Sequence, residues 1–130
     1  MSIFRLFHRH QQEHTYLRNF IFGVEDSLVS TVGLLAGVAS ADMSRPALLT
    51  TGLVLIVVEG FSMGIGSYLT EETAEEMDGT TPHPLVAAKG GLTMLASYIL
   101  SGLLPLAPYA FLPGNQAVVI GMAIGKLFHL

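Results

Sequence analysis

The sequence predicts an all-α integral membrane protein, a bundle of three full transmembrane helices plus a short or incomplete fourth. Composition is the first reason. Of 130 residues, 51% are hydrophobic and 12% charged, and mean hydropathy is positive, which describes one compact membrane unit and not a soluble domain. The second reason is three long apolar runs, at about 19–41, 47–70 and 85–112, each able to cross roughly 30 Å of hydrocarbon at about 1.5 Å per residue.

Residues 1–18 form a basic, histidine-containing tail with Arg5, Arg9 and Arg18, followed by a single transmembrane domain over 19–130. The tail lacks the apolar stretch of a cleavable signal peptide, so the first span itself directs insertion. Lys and Arg beside the spans put the amino terminus in the cytoplasm, with Arg45 in the first outer loop and Lys89 back inside. The sequence leaves open which membrane this is, a cell membrane if the source is prokaryotic. Within the tail, His10-Gln-Gln-Glu13-His14 fits the spacing of some zinc peptidases. That chemistry needs a third ligand and a shaped cleft, so no enzyme is expected; with His8 the cluster suits transient metal holding or simple attraction to anionic lipid. The absence of cysteine excludes disulfides and thiolate metal sites.

The first span holds Glu25 and Asp26, and the second holds Glu59. A charge at the bilayer centre costs on the order of 2.5–3.5 kcal/mol, so acids there usually serve an ion or proton path. Residues three and four apart share a helical face. From Asp26 the face continues through Ser30, Gly33 and Gly37, all small or polar, whereas from Glu25 it continues through Leu28, Val29, Val32 and Ala36. Asp26 is therefore the better candidate. From Glu59 the face runs through Ser62, Met63, Gly66, Ser67 and Thr70, the polar content of that inner half. Asp26 and Met63 lie at similar distances from the inner ends of their spans and are expected at one level, with Glu59 one turn deeper. A carboxylate beside a thioether suits a borderline divalent transition metal such as Fe²⁺ better than Mg²⁺ or Ca²⁺.

After the second span comes an acidic stretch. Glu71, Glu72, Glu75 and Glu76 fall at helical spacings, so a continuing helix offers them to a cation on one side, unless they are simply a solvated face. The third span carries Pro105 and Pro108, expected to kink its outer part, and Pro113-Gly114 ends it. The last 16 residues, 115–130, give about 24 Å of helix, short of a full crossing. Three small-xxx-small pairs, Gly33/Gly37, Gly60/Gly64 and Gly121/Gly125, predict tight helix pairing within or between subunits. Because Gly33 and Gly37 share the Asp26 face, two first spans are expected to meet around the path, giving a homodimer.

The strings RNFIFGVEDSLVSTVGLLAGVASA and VVEGFSMGIGSYLTEETAEE resemble the vacuolar iron transporter family. In that family a first-span aspartate and a second-span methionine line a path between the two subunits of a homodimer that exports Fe²⁺ or Mn²⁺ from the cytosol in exchange for protons. The resemblance implies these roles for Asp26 and Met63, with Glu59 and the run Glu71, Glu72, Glu75 and Glu76 as further metal-contacting candidates. It implies no permanently bound cofactor, Fe²⁺ or Mn²⁺ as cargo, and the lipid bilayer and a second copy as partners; no nucleic acid is expected. Four departures stand out. Ser27 replaces the glycine after the aspartate, and Ser67 replaces a glutamate frequent in the family, for which Glu59 two turns back is a substitute. Residues 71–84 leave no room for the helical metal-binding domain of plant-type members. The family has five spans, and this sequence stops within its fourth. The alternative expectation is thus a truncated, transport-inactive membrane fragment or an interaction subunit.

Overall fold

The computed structural model describes residues 2–81 and 83–129, excepting the side chains of 2, 4–13, 15, 114–115 and 128–129. Four helices follow in order, α1 (Ser2–Ser40), α2 (Arg45–Met77), α3 (Pro84–Phe111) and α4 (Gly114–His129). The first three contain stretches long and apolar enough to cross a membrane, and α4 is the shorter apolar helix. The expected class is therefore what the chain adopts, that of an integral membrane helical bundle.

Helix α1 reaches much further toward the amino terminus than a loose tail would. Residues 2–18 contain no glycine or proline and several straight-chain residues, so nothing interrupts the helix ahead of the first span. The side chains of His8, His10 and Glu13 lie outside the described residues. The α1–α2 turn closes through Asp42, whose left-handed φ of 55° is one that aspartate tolerates, and Ser44 then caps α2 by accepting from the Ala47 amide, with proline in the first turn. The acidic stretch is not a loop; it forms the final turns of α2 through Met77, and Gly79 at φ 71° reverses the chain. Helix α3 starts at Pro84 and stays helical through both Pro105 and Pro108 to Phe111.

Helix α3 is the centre of the bundle. Half of its apolar span is buried, against 28% for α1 and α2, and it packs on all three other helices. Two hydrogen bonds set its register with α1: Asn19 to the Gly90 carbonyl and Ser27 to the Tyr98 carbonyl, both separated by 71 positions. A constant offset means the two helices run parallel. Helix α2 runs the other way. Gly64 lies against Gly91, Gly60 against Leu95 and Tyr98, Ile56 against Gly102, and Gly52 against Leu106.

The core divides along its length. Toward the α1–α2 turn it is apolar, built of Leu35, Leu48, Ile56, Leu106, Tyr109 and Ala117. Toward the other end the buried groups are Asn19, Ser27, Ser97 and Tyr98, interleaved with glycines. Val54, Val57, Val58, Phe61 and Ile65 are exposed along one side of α2; only hydrocarbon makes such a surface favourable.

Candidate functional site

The polar half of the core brings three helices to one point. Ser27, fully buried on α1, donates to the Tyr98 carbonyl at 2.6 Å, an intramembrane bond with no water to compete for it. The Tyr98 side chain is also fully buried, and its hydroxyl donates to Oε2 of Glu59 on α2. Ser30 of α1 stands near the same Tyr98 hydroxyl, and Asp26 lies close enough for its charge to act on both Glu59 and Tyr98. Asp26 and Glu59 are each half-buried, between the lipid-facing surface and the core.

Residues on the face expected to be the path are thus divided into two levels. The Asn19 amide donates to Ser67 Oγ at 2.9 Å, tying α1 to α2. Seven residues along α1 and seven back along α2 from that bond, Asp26 is level with Gly60, next to Glu59. Met63 therefore sits about one turn nearer the acidic end than Asp26, not beside it. Counting from the ends of the apolar runs misaligned them, because the α1–α2 register is set by the Asn19–Ser67 bond and not by where the runs begin.

Met63 lines a groove of about 390 Å³ between α1 and α2, together with Ser62, Ser67, Glu71, Arg18 and Asn19. Glu71 reaches Arg18 across it at 3.8 Å. Arg18 is 70% exposed, so this pair contributes little stability and is open to competition by another cation. Glu72 and Glu75 are half-buried and Glu76 is exposed. Glu75 is occupied structurally: its Oε2 accepts from the His83 amide at 2.6 Å, fastening the end of α2 to the start of α3. Glu25 takes the other direction, opening with Lys126 onto an apolar groove between α1 and α4. Among the described residues, no three His, Asp or Glu side chains gather closely enough to hold an ion by themselves.

Ser27 has a structural explanation as well. A Cβ on Gly102 would stand 2.8 Å from its Oγ, so a side chain at position 27 is accommodated by the lack of one at 102. Asn19 and Tyr98 are the residues that sequence reasoning missed. Both are single polar groups in apolar surroundings with no charge to mark them. The signal available was position: Tyr98 is a hydroxyl near the middle of the third span, where a buried phenol requires a partner.

Both acid-bearing spans fall within a stretch that is similar to known proteins. The VIT family model matches residues 17–80, which takes in both motif-bearing spans and the acidic extension. A vacuolar iron transporter of Centaurea cyanus is 26% identical, covering 96% of this chain and 77% of the relative. Vacuolar iron transporter 1 of Eucalyptus grandis is 25% identical over 97% and 76%, and vacuolar iron transporter homolog 2 of Oryza sativa subsp. japonica 28% identical over 75% and 60%. The first two alignments run over 189 and 190 positions, so those relatives carry residues within the matched stretch that this 130-residue chain lacks. With its family match spanning both acid-bearing helices and its relatives named as iron transporters, the chain is an integral membrane protein similar to the VIT family over residues 17–80.

Proposed function

We propose that the chain carries Fe²⁺ or Mn²⁺ out of the cytosol in exchange for protons, as one half of a homodimer, with its amino terminus on the cytoplasmic side. The observation that carries this reading is the convergence of Asp26 and Glu59 from neighbouring helices at one depth within the spans. Two carboxylates so placed are costly unless something neutralises them. A divalent cation does so by charge and protons do so by protonation, so the two compete for the same oxygens and exchange follows from competition.

Met63 is the soft ligand next along the groove, favouring a transition metal over Ca²⁺ or Mg²⁺. Glu71 marks the mouth, and Glu72, Glu75 and Glu76 raise the local cation concentration on the same extension. No resident cofactor is required. The metal is cargo.

The test uses the full chain in proteoliposomes loaded with a metal-sensing dye. An imposed pH gradient should drive Fe²⁺ or Mn²⁺ flux, and Asp26→Asn, which keeps size and removes charge, should abolish it. Unchanged flux in that variant refutes the role of Asp26.

A further inference from the structure

We infer that Tyr98 is a selectivity-determining positioning residue: by occupying one lone pair of one Glu59 oxygen, it biases that carboxylate toward binding a cation through the other oxygen and against chelation through both. The inference rests on the metal-carrier reading above and concerns how the same carboxylate chooses among ions.

The geometry begins with Tyr98 itself. It is fully buried at the centre of the bundle, and its backbone is pinned by the Ser27 hydrogen bond to its carbonyl. The ring packs beside Gly60, the residue next to Glu59, so the phenol has little freedom to swing away. Its hydroxyl donates to Oε2 of Glu59, while among the described residues Oε1 has no hydrogen-bond partner. A carboxylate has two oxygens with which to hold a metal. Here one is engaged by a donor that is fixed in place.

Ion chemistry turns this into a filter. Ca²⁺ gathers six to eight oxygen ligands and often takes both oxygens of a carboxylate, whereas first-row transition ions are satisfied by fewer ligands and accept nitrogen or sulfur. A Glu59 biased toward one oxygen therefore withholds from Ca²⁺ a ligand it needs, at little cost to Mn²⁺ or Fe²⁺. Asp26 supplies the neighbouring negative charge, which attracts every divalent cation alike and so cannot discriminate between them. At the level of the carboxylates, selection against the harder, larger ion falls to the phenol, in addition to the soft-ligand preference that Met63 supplies.

The test measures binding by the full chain in lipid nanodiscs, following the free Mn²⁺ signal by electron paramagnetic resonance while Ca²⁺ is titrated in. Tyr98→Phe keeps the buried ring and removes only the hydroxyl. It should lower the Ca²⁺ needed to displace half of the bound Mn²⁺ by about tenfold, while Mn²⁺ affinity in the absence of Ca²⁺ changes far less. Glu59→Asp shortens the side chain, draws the carboxylate out of the phenol's reach, and should reproduce the gain in Ca²⁺ competition. Tyr109→Phe removes a hydroxyl from the same helix in the apolar half of the core and should leave the ratio unchanged. A wild-type Mn²⁺/Ca²⁺ ratio retained in both Tyr98→Phe and Glu59→Asp overturns the role of Tyr98 while leaving the carrier reading intact. A wild-type protein that binds no Mn²⁺ overturns both.

Discussion

Single side chains carry unequal weight in this bundle, and the polar ones show it best. Asn19 joins α1 to both α2 and α3, and Ser27 joins α1 to α3, each through a bond that lipid cannot replace. Thr31, one turn beyond Ser27, is fully buried, and among the described residues its Oγ1 has no hydrogen-bond partner. Thr31→Val keeps the branched shape and removes the unpaired hydroxyl. It is expected to stabilise the protein by about 1 kcal/mol, read as a rise of a few degrees in the thermal unfolding midpoint in detergent. An unchanged or lower midpoint would mean that the hydroxyl is satisfied in the membrane-embedded protein. What the sequence made visible at this scale was charge. Asp26 and Glu59 were legible because an acid in an apolar run is rare, whereas Tyr98 and Asn19 were not, because uncharged polar residues are common in spans and only the fold reveals their partners.

Among the helices, the α2–α3 pair has the closest approach. A Cβ on Gly91 would lie 2.7 Å from the Gly64 carbonyl oxygen, and one on Gly64 would lie 3.0 Å from the Gly91 carbonyl oxygen, so the two backbones touch. Gly91→Ala must push them apart. The expected cost is about 1–3 kcal/mol, seen as a lowered unfolding midpoint, because the obstacle is main chain and not a side chain that can rotate away. The small-xxx-small spacing predicted close pairing but not which pairs. Gly60/Gly64 is used within the subunit, as is Gly121/Gly125, where Gly121 meets Tyr109 and Gly125 meets Val32. Element existence was legible from the apolar runs, and the boundaries were not. Helical residues outside the bilayer show no apolar run, which is why the first eighteen residues read as a tail and the acidic turns of α2 were not separable from a loop.

For the molecule as a whole, the third glycine pair is the one left over. Space for a Cβ at Gly33 and Gly37 is empty to beyond 4 Å, and both residues are exposed on the α1 face that carries Asp26 and Ser30. A surface free of bulk suits a second copy of the same helix, related by a two-fold axis. The chain has no cysteine, so Gly37→Cys introduces a unique thiol. Oxidation of that variant in native membranes should yield a disulfide-linked species of twice the monomer mass, and a monomer alone on a non-reducing gel would contradict a two-fold seam at α1. A stripe of small residues and a family likeness are what point to a homodimer in the sequence. The fold adds that this stripe meets no other helix of the described chain, whereas its two counterparts do.

The unbroken course of α2 from the membrane into its acidic end has a mechanical meaning. Glu59 and Glu71 stand on a single rod, twelve residues or about 18 Å apart, with no hinge residue between them other than glycines that remain helical. The separation and the angular bearing of those two carboxylates are thereby fixed like marks on a ruler, whatever the connecting turn to α3 contains. One residue inserted between them would rotate the outer mark by about 100° and aim it away from α1, while leaving the charge and composition of the chain's exterior almost untouched.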